Sequence, residues 1–137
     1  MQINPKEVIE KGILIPAECT QVQQVGIDLT IKGSVAIQHG QSLNVLLNEI
    51  VKLPKDVFAT FTHRSSFNRK GVLITGSIYD PGYEGQVGCT IYNLSGMELG
   101  IQDCERIGQM LFFKADPASE YNGQYQGEHL NETVKHS

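Results

Sequence analysis

The chain has 137 residues, of which 40% are hydrophobic and 19% charged, and its formal net charge is −4. That is enough for about one domain with its own core, and it excludes a global basic field for nucleic acid or an anionic membrane. No apolar run approaches the ~20 residues that span a bilayer, and Met1-Gln2-Ile3-Asn4-Pro5-Lys6-Glu7 does not read as a signal peptide.

Asn4 to Gly12 reads as one short helix. Asn4 is the N-cap, Pro5 stands at the first helical position, and Gly12 ends it. Ile13 to Pro16 is extended. From Val25 the period becomes two: Val25, Ile27, Leu29 and Ile31 alternate with Gly26, Asp28, Thr30 and Lys32, which predicts a half-buried strand. Short strands are expected around Val35–Ile37, Leu43–Leu53, Val57–Thr62, Val72–Thr75, Leu99–Gln102 and Arg106–Phe113. Many short strands broken by Gly and Pro turns predict an all-β sandwich or closed barrel. From Asp116 the composition turns polar, so residues 1–115 are expected as the β domain and 116–137 as a tail without its own core.

Cys19, Cys89 and Cys104 are the three cysteines. An odd count without Cys-x-x-Cys argues against a disulfide framework and a zinc knuckle. Reduced thiols and a cytoplasmic location are the expectation.

Four windows carry candidate chemistry. Ser77-Ile78-Tyr79-Asp80-Pro81-Gly82-Tyr83-Glu84-Gly85 sets a carboxylate and a ring at the mouth of an expected hairpin, because Pro presets φ and Gly accepts positive φ. Taken alone, a plain surface turn explains it. Beyond it Val87, Cys89 and Ile91 alternate with Gly88, Thr90 and Tyr92, a strand leaving the bend. His63-Arg64-Ser65-Ser66-Phe67-Asn68-Arg69-Lys70 is the most basic stretch of an acidic chain. Hydroxyls between guanidinium groups suit a phosphate chain, though a solvated loop with a serine cap also fits. Gly26-Ile27-Asp28-Leu29 places an acid in a strand, and Arg106-Ile107-Gly108-Gln109 opens another with a cation and an amide. No His/Cys cluster with metal-ligand spacing, P-loop or nucleophile elbow is present.

In this order and spacing the four windows resemble the dUTPase and dCTP deaminase superfamily over nearly the whole chain. The resemblance implies a distorted jelly-roll or β-clip barrel with a short N-terminal helix, and a homotrimer with active sites at subunit interfaces. It implies that Asp80 activates water and that Tyr83 stacks under deoxyribose. Arg64, Ser65, Ser66, Arg69 and Gln109 would contact phosphates, with Asp28 and Arg106 in support. Tyr121, Tyr125 and Gln126 match the closing motif of the deaminase branch, in which Gln124 stands where Lys is usual and Glu128 where Gln is usual. The substrate would be a deoxyuridine nucleotide. Mg²⁺ would be held mainly by phosphate oxygens and water rather than by protein ligands.

The deaminase branch carries a Glu on the strand after the turn, and Thr90 takes that position here. A neutral hydroxyl cannot shuttle the proton that water must lose to attack the cytosine ring. The reading is therefore a dUTP diphosphatase on a deaminase-like frame, with water attacking the α-phosphorus. A dCTP deaminase, a bifunctional enzyme and a regulatory nucleotide-binding protein are the alternatives. The window between Val72 and Asp80 holds no Asn or Gln to read uracil, so backbone groups at Gly88, Cys89 and Thr90 are expected to read the base.

Overall fold

The computed structural model of the chain describes residues 1–115. The expected tail, with Tyr121, Gln124, Tyr125, Gln126 and Glu128, lies outside them. Helix α1 covers Pro5–Glu10, and the Asn4 side chain accepts the Lys6 N–H at 2.9 Å, as the capping pattern requires. Eleven of the twelve elements that follow are strands, in the order β1 Leu14–Ile15, β2 Gln21–Val22, β3 Ile27–Thr30, β4 Val35–Ile37, β5 Ser42–Lys52, β6 Val57–His63, β7 Val72–Thr75, β8 Ile78–Tyr79, β9 Glu84–Asn93, β10 Leu99–Ile101 and β11 Arg106–Lys114, interrupted by α2 at Ser65–Arg69.

All pairings are antiparallel. A four-stranded sheet runs β1-β5-β9-β7, a five-stranded sheet runs β2-β3-β11-β6-β8, and β10 pairs with β4. The all-β, jelly-roll-like expectation holds. Alternation explains which residues turn inward: Val57, Ala59 and Phe61 on β6 and Val72 and Ile74 on β7 are buried, while Leu73 and Thr75 are exposed. They meet Ile27, Leu29, Leu47, Ile91, Ile107, Met110 and Phe112 in one core. Each such side chain contributes roughly 1.5–3 kcal/mol on burial. Among the described residues no helix is long and apolar enough to cross a membrane.

Three expectations are corrected. Strand β3 is not half-buried: Ile27, Asp28, Leu29 and Thr30 are all buried. It lies between β2 and β11, and β5 covers its end, where the fully buried Glu49 carboxylate accepts the Thr30 N–H (3.0 Å) and Thr30 hydroxyl (2.8 Å). The cysteines are not all reduced. Cys19 and Cys104 form a disulfide with Cα atoms 5.8 Å apart, which removes the cysteine-based argument for a reducing compartment. They are 85 residues apart in sequence, and only the folding of the loop after Pro16 onto the turn before β11 brings them together. Finally, the strands flanking the Asp80 turn do not pair with each other: β8 joins β6 in one sheet, and β9 joins β5 and β7 in the other.

That parting has a local cause. After Thr75 the chain crosses from β7 towards β6, where the Phe61 N–H donates to the Ser77 carbonyl. Gly76 sits at the crossing, where a Cβ would lie 1.7 Å from the Phe61 carbonyl oxygen. Only glycine allows this approach.

Candidate functional site

Two groups of functional side chains emerge. The first is an open cleft of about 620 Å³ over the five-stranded sheet. Register builds its floor: Gln109 on β11 lies opposite Asp28 on β3 and opposite Thr62 on β6, so the three form one row across three strands. Gln23, His63, Arg64, Ser65 and Arg106 complete the lining. Asp28 is 5% exposed and is held by two donors, Arg106 Nη1 at 3.0 Å and Gln23 Nε2 at 2.8 Å. Arg106 also donates to Gln21 Oε1 at 2.9 Å. A buried carboxylate needs such partners, because desolvation of an unpaired charge costs several kcal/mol.

Asp28 is thus a tie between β2, β3 and β11, and it does not face water. Arg106 is occupied by that tie. Arg64 follows β6, its N–H donating to the Ile107 carbonyl at 3.3 Å, and it makes no side-chain cap on α2. Ser65 and Ser66 open α2 and are exposed, and Arg69 reaches back from its last turn to Ser65 Oγ at 3.2 Å. The sequence reading missed Gln23 and His63 as cleft residues. The Nε2 of His63 pairs with Asn68 Nδ2 at 2.7 Å. Gln23 follows β2 in the loop that leads to β3, and no motif marks it, whereas His63 directly precedes Arg64 in the basic window.

The second group surrounds the Asp80 turn. The Asp80 carbonyl accepts the Tyr83 N–H at 3.1 Å, and Gly82 between them has φ of 87°, which Gly adopts without cost. Gly82 N–H donates to the Pro54 carbonyl (3.1 Å) and Leu53 N–H to the Tyr83 carbonyl (2.9 Å), which fixes the turn against the β5–β6 corner. The Asp80 side chain is exposed. Tyr83 is 7% exposed, and its hydroxyl donates to the Gln86 carbonyl at 3.0 Å. Tyr79 packs beside it, ring centroids 5.4 Å apart, and donates to the Gly88 carbonyl at 3.2 Å.

Along β9 the three expected base-reading residues separate. Gly88 and Thr90 turn their backbone groups away from β5, since Tyr79 reaches the Gly88 carbonyl and Thr75 Oγ1 the Thr90 carbonyl (3.4 Å). Alternation then turns the backbone groups of Cys89 towards its partner Val45 on β5. Its thiol is half-buried, and burial pushes its pKa up to about 12. The Thr90 hydroxyl donates to Asn44 Oδ1 at 2.6 Å.

The two groups do not meet within one chain. Tyr79 pairs with Ala59 on β6, which sets Asp80 level with Phe58, whereas Arg64 lies beyond the far end of the strand. At about 3.3 Å per residue the separation is roughly 20 Å. Among the described residues no group of three His, Cys, Asp or Glu side chains forms a metal cage.

A family model described as dCTP deaminase-like matches residues 32–115. A dCTP deaminase of Pyrococcus horikoshii is 35% identical over 103 residues, covering 74% of this chain and 66% of its own length. A probable deoxyuridine 5′-triphosphate nucleotidohydrolase of Methanococcoides burtonii is 39% identical over 90 residues, covering 63% of this chain and 52% of the relative. The EIAV dUTPase structure superposes with a TM-score of 0.65 at 19% identity, over 81% of this chain and 96% of that one. The match in structure concerns the fold, and the named relatives divide between two activities.

Proposed function

The chain belongs to the dCTP deaminase-like family, and from that premise we propose that it is a dUTP diphosphatase, converting dUTP and water to dUMP and pyrophosphate. The observation that carries the choice of branch is Thr90. Deamination needs a group at this position that takes a proton from water. Here the position holds a neutral hydroxyl already donating to Asn44, and β9 carries no acid after Glu84. Phosphorus attack has no such requirement on β9. It needs a carboxylate beside the α-phosphate, and Asp80 stands exposed on a braced turn.

The proposed mechanism assigns a task to each half-site. The Asp80 carboxylate accepts a proton as water attacks the α-phosphorus, and pyrophosphate leaves. Arg64, Ser65, Ser66, Arg69 and Gln109 hold the triphosphate. The Arg64 guanidinium is the natural first contact because Arg106 is engaged by Asp28. Tyr83 lies under the deoxyribose, and Gly88 presents its backbone to the base. Magnesium would come with the substrate on phosphate oxygens and water, offsetting their charge.

The ~20 Å between Asp80 and Arg64 supports a further part of the proposal. The protein works as a homotrimer, in which the turn of one chain faces the Arg64 cleft of a neighbour. The second reading, a dCTP deaminase, is favoured by the name of the Pyrococcus horikoshii relative. Incubation with dUTP, dCTP and UTP separates the readings. Pyrophosphate from dUTP alone is the expected result, and ammonia from dCTP would overturn the assignment of Thr90.

A further inference from the structure

The open space between β8 and β9 is filled by side chains of this chain itself. The last pair of the β7–β9 ladder is Thr75 with Thr90, and below it no other strand among the described residues pairs with that edge of β9. Gly88 lies opposite Leu46 on β5, whose carbonyl turns away to accept the Lys32 N–H at 3.0 Å. By ladder alternation the Gly88 backbone groups therefore point into the gap. There the Tyr79 hydroxyl donates to the Gly88 carbonyl, and the Tyr83 hydroxyl to the Gln86 carbonyl. Two phenols stand where a neighbouring strand would have supplied N–H groups.

Their positions differ. Tyr83 is part of the turn and is 7% exposed. Tyr79 is half-buried, on the two-residue strand β8, which pairs with β6 on one side. A phenol resembles a uracil ring in two ways that matter at a backbone edge. Both are flat six-membered rings, and both offer a single strong donor to a carbonyl: O–H in one, the imide N–H in the other.

We propose that the Tyr79 phenol occupies the base position of this slot, and that a pyrimidine nucleotide binds by displacing its hydroxyl from the Gly88 carbonyl. This rests on the reading of Gly88 as the base-facing edge. The hydroxyl is a neutral donor throughout, since burial pushes the phenol's pKa well above its ordinary value. Uracil entry then exchanges one hydrogen bond for another, and the slot closes on itself when the nucleotide leaves. The carbonyl, part-buried at this edge, therefore keeps a hydrogen-bond partner with and without nucleotide.

The test is dUMP binding to the wild-type protein and to Tyr79→Phe by calorimetry, with dUTP turnover measured alongside. The ring and its contact with Tyr83 survive in the variant, and only the competing donor is lost. dUMP should bind Tyr79→Phe more tightly, by roughly fivefold, the worth of about one net hydrogen bond. The chain contains no Trp, so its near-ultraviolet absorbance comes chiefly from tyrosine. A tyrosine difference signal should accompany dUMP binding to the wild type and shrink in the variant. Should Tyr79→Phe prove unstable, the wild-type difference signal still decides, and its absence on saturation with dUMP overturns the proposal. Unchanged or weaker binding by the variant overturns it too. Tighter binding without dUTP hydrolysis in either protein would leave displacement standing and sink the diphosphatase assignment instead. Failure of any pyrimidine nucleotide to bind either protein would sink both.

Discussion

At one end of β6, three strands run side by side, and a row of polar side chains crosses them from Asp28 through Gln109 to Thr62. At the other end the strands part, and the gap between β8 and β9 is bridged by phenols on backbone carbonyls. The cleft is held by an ion pair and by sheet register, so its shape is fixed before any ligand arrives. The slot is held by single hydrogen bonds that a ligand can replace. In the proposed function the cleft is a rigid grip for phosphates and the slot an exchangeable seat for a base, and one chain keeps them about 20 Å apart. On that proposal neither half has a complete set of groups for hydrolysis.

The sharpest break in this contrast is Asp80→Asn. Loss of the carboxylate should lower dUTP hydrolysis by about 10²–10⁴-fold while dUMP binding and thermal stability stay near wild type. Near-normal turnover would take Asp80 out of the mechanism. On the cleft side, Arg64→Ala should act mainly on triphosphate binding. KM for dUTP should rise by about tenfold or more, with a smaller effect on dUMP, which lacks the two outer phosphates. Equal effects on both nucleotides would remove Arg64 from the outer phosphates.

Stability probes follow. Cys104→Ser opens the link between residues 85 apart and should cost about 2–4 kcal/mol in denaturant unfolding. An unchanged midpoint under oxidising conditions would show that the bridge contributes nothing. Arg106→Met leaves Asp28 with Gln23 as its remaining side-chain donor. The expected cost is about 2–3 kcal/mol, below that of a fully buried pair because Arg106 keeps 33% of its side chain exposed. The smallest effect concerns pH. The folded thiol of Cys89 titrates near 12 against an ordinary 9.0, so above pH 9 the unfolded chain loses that proton first and stability falls as pH rises from 9 to 12. Cys89→Ala should flatten that part of the curve. For the same reason native Cys89 should resist alkylation at pH 8 and react once the protein is unfolded.

Much of the fold was legible because the signals were local. Asn4 and Pro5 marked the helix start, the short runs at Val57–Thr62 and Val72–Thr75 marked β6 and β7, and Pro81-Gly82 marked the turn. Order and spacing then brought the four windows to one superfamily. What stayed hidden depends on contacts between distant segments. Alternation along β3 could not show that Glu49 of β5 covers Thr30 or that Gln23 and Arg106 cover Asp28, so both looked half-exposed. A count of cysteines could not show that the loop after Pro16 folds onto the turn before β11. Gln23 enters the cleft from the loop after β2 and His63 from the end of β6, and Tyr79 gains its role only because Gly76 sends the chain to the other sheet.

Mixing two impaired variants gives the most direct test that the half-sites of different chains work together. Asp80→Asn and Arg64→Ala chains would be unfolded together, refolded at equal amounts and assayed at dUTP well below the wild-type KM, where the first is nearly inactive and the second keeps about a tenth of wild-type activity or less. If the turn of one chain serves the cleft of another, random assembly places intact halves together at about one site in four, and about a quarter of wild-type activity should return. If the mixture stays at the average of the two variants although mixed oligomers form, each site is built within a single chain, and the proposed division between cleft and slot is wrong.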